Sequence, residues 1–561
     1  MLLIHPPAIY DFRKKTIFPG ALGATVEHIQ FIKPPLGMLS IADYLDRHDC
    51  RVMLDNLADR MVSDREFDAE EHIRNSPAMI YAIDLHFHHH AQGAIEVARI
   101  CKELHPDSLM VIGGLTATCY HEEIISKYGF VDAVVRGEGE KPLLQFVEAY
   151  KKNGKITDTP SLTYRTDSGE VRVTPLMEAS TSLDEFDFLR FDLLEPKTAV
   201  FTPDMQTRWS LQVCRGCSHC CVTCGGSAYS YKKYFGMGKP SFRSPEKLIS
   251  DIKKLNQWGI RRVGLYQDPR MAGEDYWREL MAALRREKLD IEQLTMDLLA
   301  PADEEFIREV ATIGKPVILY ICPDTGACDV RQAQGRLYSN EELLDTVRTC
   351  HRYHIPITVF LSAGLAGESH ETMAETWQLW DKLCSLDRIS IARGGFGDMG
   401  KSVLRGGPIM GPIILEPGSL SFDYPEKHGY KLSFGNLEEY REALSQPSWH
   451  QWLNHETEQL NKDALVELIL ESSERSTRQR ARYGSYNKHE AIVELLRTRA
   501  DRIAAGEVDR IMELADADER KARLEALKKA RDAFLASPPF NDDTYGYREM
   551  MWENCFHASH S

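Results

Sequence analysis

Arg215-Gly216-Cys217-Ser218-His219-Cys220-Cys221-Val222-Thr223-Cys224-Gly225-Gly226-Ser227 gathers four thiols into one short segment, and Cys214 precedes it directly. Soft thiolates crowded on one loop can converge on a metal without help from distant segments. Cys217, Cys221 and Cys224 follow the spacing x-x-x then x-x. Three such thiolates satisfy three irons of a cubane and leave the fourth open to a small chelating ligand. A structural zinc is the competing reading, but it wants a second ligand pair at a distance, and no matching Cys-x-x-Cys stands elsewhere. A second register, Cys214-x-x-Cys217-x-x-Cys220, leaves Cys221 and Cys224 spare.

Around this loop the chain alternates strands and helices. Upstream, Trp209–Val213 reads as a strand running straight into the cysteines. Downstream come strands at Arg262–Tyr266, near Leu294, and at Val317–Ile321, Ile357–Ser362 and Arg388–Ile391. Helices separate them. Ser244-Pro245 opens one as N-cap and N1 proline, and Ser339 with Glu342 forms a capping box for another. Six strand–helix units across residues 206–425 predict a partial (β/α)6 barrel of the TIM type, with chemistry at the carboxyl ends of the strands.

Residues 1–145 show the same alternation with shorter elements: strands at Met1–His5, Arg51–Leu54, Ala78–Ile83, Leu109–Gly113 and Ala133–Val135. The expected fold is α/β, a doubly wound parallel sheet of Rossmann or flavodoxin type with helices on both faces. Turn residues fall at the strand ends: Pro34-Pro35-Leu36-Gly37, Asp84-Leu85-His86-Phe87-His88-His89-His90, Gly113-Gly114-Leu115-Thr116 and Arg136-Gly137-Glu138-Gly139-Glu140. Residues 146–205 read as a connector, with a hairpin around Thr166-Asp167-Ser168-Gly169 and then an Asp-, Pro- and Thr-rich linker. Residues 426–561 read as a charged helical annex, with helices at Glu456–Glu474, His489–Ala505 and Glu519–Phe534 and an aromatic tail from Tyr545 to Trp552.

Bulk properties bound the function. A chain of 561 residues exceeds one core and implies several domains. Thirteen cysteines, eight of them scattered, argue against a disulfide framework. The net charge of −16 argues against general nucleic-acid binding. No apolar run approaches the roughly 20 residues needed to span a bilayer, and the first residues do not read as a signal peptide. The expected location is cytoplasmic, where thiols stay reduced.

Cys217-x-x-x-Cys221-x-x-Cys224 after a barrel's first strand resembles the radical S-adenosylmethionine (SAM) superfamily. Gly364-Leu365-Ala366-Gly367-Glu368-Ser369 is similar to the Gly-x-Pro-Gly-Glu-Thr segment of its cobalamin-dependent branch, and Gln267-Asp268 stands where that branch has an acidic pair. Pro34-Pro35-Leu36-Gly37-Met38, Ile112-Gly113-Gly114-Leu115-Thr116 and Val134-Val135-Arg136-Gly137-Glu138-Gly139-Glu140 look like the preceding cobalamin-binding domain.

The resemblance implies three cofactors: a [4Fe–4S] cluster on Cys217, Cys221 and Cys224, SAM, and cobalamin. It places Leu36, Gly37, His86, Gly113, Gly114, Thr116 and Glu138 around cobalamin, and Asp268, Gly364, Gly367 and Glu368 around SAM. It implies a small-molecule substrate and an external electron donor of flavodoxin or ferredoxin type. Reductive cleavage of SAM would give a 5′-deoxyadenosyl radical, and methylcobalamin would deliver a methyl group to an unactivated carbon. Oxidation, cyclisation or rearrangement without methyl transfer, and a non-catalytic cobalamin or iron–sulfur sensor, are the alternatives.

The sequence departs from the branch in three places. Thr223 stands where an aromatic residue is usual, and Cys322-Pro323-Asp324-Thr325-Gly326 where Glu-Ser-Gly is usual. The Asp-x-His-x-x-Gly signature keeps Asp84 and His86 but has His89 for its glycine. The histidine run then reads either as a helix-capping loop or as a cobalt ligand, with Asp84 orienting His86 from behind.

Overall fold

The computed structural model describes residues 1–18, 33–198, 208–394, 402–405 and 409–537. The expected aromatic tail lies outside them. Two mainly parallel sheets carry the chain, and the carboxyl ends of their parallel strands face each other.

The first sheet holds β1 (Leu2–His5), β2 (Met53–Asn56), β3 (Ile80–Asp84), β4 (Leu109–Gly113), β5 (Ala133–Val135), β6 (Leu162–Arg165), β7 (Val171–Val173) and β8 (Leu194–Glu195). Its spatial order is β7-β6-β5-β4-β3-β1-β2-β8. The central order 2-1-3-4-5 is that of flavodoxin-like sheets, whose ligand crevice opens where the winding reverses, between β1 and β3. Burial explains the strands: all five residues of β3 are buried, as expected when helices cover both faces.

The connector departs from expectation. Its hairpin extends the sheet, with β6 antiparallel to β5 and β7 antiparallel to β6. The stretch expected to be a loose linker is packed. Leu183, Phe186, Phe188, Leu189 and Phe191 are all buried, and β8 closes the far edge by pairing with β2. The anchor comes from outside the stretch. Arg243 forms a buried ion pair with Asp251 and donates to the carbonyls of Leu183 (2.6 Å) and Phe186 (3.0 Å).

The second sheet starts with β9 (Arg208–Gln212). Next, β10 (Cys214–Arg215) pairs antiparallel with β11 (Ser241–Phe242) and so closes the base of the cysteine loop. Then follow β12 (Arg262–Tyr266), β13 (Gln293–Leu298), β14 (Val317–Asp324), β15 (Ile357–Ala363), β16 (Leu404–Arg405) and β17 (Ile409–Pro412). The path β9-β12-β13-β14-β15-β16 is parallel and sequential, the winding of an open barrel, and β17 also pairs with β15.

The sixth strand is not Arg388–Ile391. Those residues continue the helix His370–Gly394. Four residues are too short a window to separate a β-branched alternation from a helix turn, and no proline interrupts the run.

The carboxyl-terminal helices run over Lys462–Tyr483, Lys488–Met512 and Ala517–Leu535. Glu456 lies instead in the short strand β19 (His455–Thr457), paired with β18 (Tyr430–Leu432). This region shares a core with the first sheet: Tyr440, Trp449 and Trp452 pack into the cluster that holds Ile83 of β3 and Ile95 of the covering helix Ala91–Leu104.

Replacing Arg243 with alanine leaves Asp251 buried without a counter-charge and two carbonyls without a donor. Such losses cost about 3–5 kcal/mol. Arg243→Ala is expected to lower the urea midpoint accordingly and to open residues 174–198 to limited proteolysis. An unchanged midpoint and digestion pattern would show that the connector holds without it.

Candidate functional site

The cysteine loop starts where β9 ends. Ser227 caps the helix Ala228–Tyr234 behind it, and Ala228 N–H donates to the His219 carbonyl at 2.8 Å. Two sulfurs accept backbone hydrogen bonds, Cys217 Sγ from His219 N–H and Cys224 Sγ from Gly226 N–H, each at 3.3 Å. Cys217, Cys221 and Cys224 line one cavity, together with Cys214, whose thiol is turned to the Gly216 carbonyl at 3.4 Å. Cys220 is exposed and does not line it.

The spread of the sulfurs discriminates between metals. Thiolates on one zinc at about 2.3 Å lie roughly 3.8 Å apart. Among the described residues only His5, Asp84 and His90 bring three ligand atoms within 4.8 Å of one another. The three thiols are more widely spaced, which suits a polynuclear centre better than a single ion.

Burial raises these thiols, Cys217 to about 11 and Cys221 and Cys224 also upward, while Arg336 works against the rise in all three. A cluster bound to these thiols would invert that balance, because the charge of its irons favours thiolates. Arg336 is in turn paired with Asp324 in a buried contact. Gly335 permits the approach: its φ is +88°, and a Cβ there would stand 2.7 Å from the Cys220 carbonyl oxygen.

The remaining wall comes from strand ends: Tyr266 closing β12 and Gln267 just after it, Asp297 and Leu298 in β13, Tyr320 and Cys322 in β14, and Phe360 in β15. Asp297 accepts from Gln267 N–H at 2.9 Å, and burial pushes its carboxyl up to about 7.

A second cavity lies against the first sheet, at its switch point. Gly37, Asp84, His86, Gly113, Gly114 and Glu138 line it from that sheet, and Gln212, Arg215, Tyr231, Phe235 and Met237 from the cysteine-loop side. It encloses about 1020 Å³ and its neighbour about 1470 Å³ of empty space, mouths included. His86, Leu115, Gln212 and Tyr231 line both. Two glycines shape the floor. A Cβ on Gly37 would meet nothing within 4 Å, so the cavity comes up to its backbone. Gly114, at φ +120°, passes so close to Leu85 and His86 that a Cβ would clash with their backbone.

Other expected residues stand elsewhere. Leu36 packs against the core instead of lining the cavity, and Thr116 lines the cysteine cavity while its hydroxyl donates to the His86 carbonyl at 2.9 Å. Asp268 is buried and used up by Arg270 (2.7 Å) and Leu299 N–H (2.9 Å). Glu368 braces its own turn by accepting from Gly364 N–H (2.7 Å) and Leu365 N–H (3.0 Å). Gly364, Gly367, Glu368 and Asp268 are not among the residues lining the cavity. Asp84 does not orient His86; its carboxylate lies 3.0 Å from His5 Nδ1. Arg136 and Glu138 do not pair with each other. Arg136 donates to the Thr174 carbonyl, and Glu138 binds Arg215 at 2.9 Å.

Residues 211–379 match the Radical SAM superfamily, and residues 23–147 match the B12 binding domain. The chain belongs to the cobalamin-dependent radical SAM enzymes. It is similar to an uncharacterized methyltransferase of Pyrococcus horikoshii, 23% identical over 62% of this chain and 73% of that one. It is also similar to an anaerobic magnesium-protoporphyrin IX monomethyl ester cyclase of Cereibacter sphaeroides, 23% identical over 62% of this chain and 55% of that one. The fold is that of the radical SAM methyltransferase TsrM from Kitasatospora setae, solved with cobalamin and a [4Fe–4S] cluster. That match has a TM-score of 0.57 at 15% identity and covers 90% of this chain and 99% of that one. The cofactors of this radical SAM enzyme are a [4Fe–4S] cluster, SAM and cobalamin. Among the described residues no helix is long and apolar enough to cross a membrane.

What joins the two halves of this radical SAM enzyme is Arg215, missed in the sequence because its partners lie 75 and 77 residues away. Its guanidinium binds Glu140 at 2.7 Å and Glu138 at 2.9 Å, and Ser40 donates to Glu140 at 2.6 Å. Burial works to raise the Glu140 carboxyl, but Arg215 and Ser40 outweigh it and hold it below the ordinary value. A carboxyl depressed in the folded state contributes stability above its unfolded pKa and loses it as pH falls through the folded one. The native protein is therefore expected to keep this contact at neutral pH and to lose it only in acid below the ordinary glutamate range. Arg215→Met removes the counter-charge, at about 3–5 kcal/mol, and leaves burial to raise Glu140. Its melting temperature is expected to drop at neutral pH and recover partly on acidification. Parallel pH profiles for native and variant protein would contradict this.

Proposed function

We propose that this enzyme methylates an unactivated carbon of a small organic molecule, with Cys217, Cys221 and Cys224 holding the cluster and the switch-point cavity holding the corrinoid. The observation that carries the reading is the pair of adjoining cavities, whose shared wall of His86, Leu115, Gln212 and Tyr231 makes one reaction space at two facing sheet ends. When bound, the cluster and SAM supply a hydrogen-abstracting radical and cobalamin supplies a transferable methyl group.

The chain's own residues hold and shield. The thiols are presented on a loop tied back by β10 and β11, and His219 and Gly226 N–H groups steady two sulfurs. Gly37, Gly113 and Gly114 leave room for a broad ligand against the first sheet, and Glu138 is kept in place by Arg215 and by Ser180 N–H (2.8 Å). Burial holds His86 neutral, so a ring nitrogen is available as a donor. Tyr266, Tyr320 and Phe360 wall the cysteine cavity with aromatic surface, which excludes water from a reactive intermediate. An external one-electron donor completes the system.

The methyltransferase relative supports methyl transfer. The cyclase relative favours a second reading, oxidation or ring closure with the same cofactors and no methyl transfer. Counting SAM separates them: methyl transfer yields S-adenosylhomocysteine and 5′-deoxyadenosine together, and the second reading yields 5′-deoxyadenosine alone.

Anaerobically reconstituted protein is expected to bind about four irons per chain and, with SAM and a reductant, to form 5′-deoxyadenosine. Single alanine replacements of Cys217, Cys221 or Cys224 are expected to abolish product formation and strip most of the iron. Cys220→Ala, at the exposed thiol, is expected to retain both. Iron content untouched in all three single variants would remove the proposal.

A further inference from the structure

One carboxyl in the cavity wall has no counter-charge. Glu416 follows β17 and lines the cysteine cavity. Its position is tightly set: a Cβ on Gly225 would stand 2.8 Å from the Glu416 Cβ. Two residues on, Gly418 at φ +82° passes Cys119, at the end of the helix Leu115–Cys119, so closely that a Cβ would stand 2.8 Å from its sulfur. Glu416 therefore sits between the cysteine loop and the first sheet.

Among the described residues, no hydrogen bond or ion pair reaches the Glu416 carboxyl, and burial alone pushes it up to about 8. The groups near it bring no positive charge. Tyr120 and Tyr440 have buried hydroxyls without partners, and burial keeps His88, stacked on Tyr440 at 3.8 Å, neutral. Within the same cavity Asp297 is a second carboxyl, and Arg336 is already paired with Asp324. Glu416 is half-buried and faces the cavity, so a carboxylate there with no cation beside it favours a ligand that brings one. Elsewhere the wall of the same cavity is aromatic, with Tyr320 and Phe360 stacked at 5.6 Å and 8°. Such faces suit a flat apolar frame and tolerate a cation nearby.

We propose that Glu416 receives a protonated nitrogen of the substrate, and that the substrate is an amine carried on a flat, apolar frame. The inference rests on the cysteine cavity being the reaction space of this enzyme.

The test uses two probes that differ in one group, 2-phenylethylamine and 2-phenylethanol, with binding to the reconstituted holoenzyme measured by calorimetry at pH 7.5. The amine is expected to bind at least about ten-fold tighter than the alcohol, the scale of one charge-assisted contact. Glu416→Gln is expected to remove that difference and Glu416→Asp to keep part of it. Equal binding of the two probes, no binding of either, or a loss of SAM affinity in Glu416→Gln (the carboxyl then serving the SAM ammonium) each overturns the proposal. The two readings fail separately. Selective amine binding without SAM cleavage would sink the function proposed above and keep this inference. SAM cleavage without amine selectivity would do the reverse.

Discussion

Arg215 is the contact on which the site's architecture depends. It sits one residue past Cys214, at the root of the cysteine loop, and its guanidinium is clamped by Glu138 and Glu140 from the turn after β5. Phe186 of the connector lies over the same group at 5.4 Å. One planar cation thus joins the first sheet, the connector and the thiol loop. Desolvating three charges is unfavourable unless each is well satisfied. Here the fork of the guanidinium matches two carboxylates, and Ser40 donates to Glu140. An arrangement of this kind tolerates little displacement, because a shift that frees one carboxylate leaves it buried and uncompensated. The two cavities keep their relative position for the same reason.

The fold was readable where burial repeats along the chain. Strands covered on both faces are apolar throughout, as in Ile80–Asp84, and caps such as Ser244-Pro245 and Ser339 with Glu342 mark helix starts by local chemistry alone. Reading failed where the deciding contact is remote. The connector looked loose because its Asp, Pro and Thr content is that of a linker. Yet Leu183, Phe186, Phe188 and Phe191 lie within nine residues, and that apolar density was the signal overlooked. What orders the segment is Arg243, about 60 residues further on. The helix through Ile389 was misread for a different reason. Its register is set by the long run before it, which a four-residue window does not contain.

The candidate site divides along the same line. Cys217, Cys221 and Cys224 were visible because all three ligands fall on one loop. The Asp84–His86 expectation was local too, and it fails because strand pairing offers a nearer partner. β1 and β3 are adjacent and parallel, with Ile4 opposite Ile83, so His5 and Asp84 emerge side by side at the carboxyl ends. The carboxylate then serves His5 across 79 residues, and His86 points to the cavities without it. The sequence separation of two residues counted for less than one inter-strand step of about 4.8 Å.

The fourth strand of the barrel carries the same reasoning to the SAM region. Where the resemblance expects Glu-Ser-Gly, β14 ends in Cys322-Pro323-Asp324. Asp324 is not free to receive a ligand, because both its oxygens are engaged by Arg336. Arg336 in turn lies beside the cysteine loop, and Gly335 brings that segment against Cys220. The strand end therefore supports the loop. Asp268 is likewise committed to Arg270 and Leu299 N–H, and Glu368 spends one oxygen on the Gly364 and Leu365 N–H groups. The polar groups that remain on the cavity surface include Gln267 and Asp297, which stand together at the ends of β12 and β13, and Glu416 after β17.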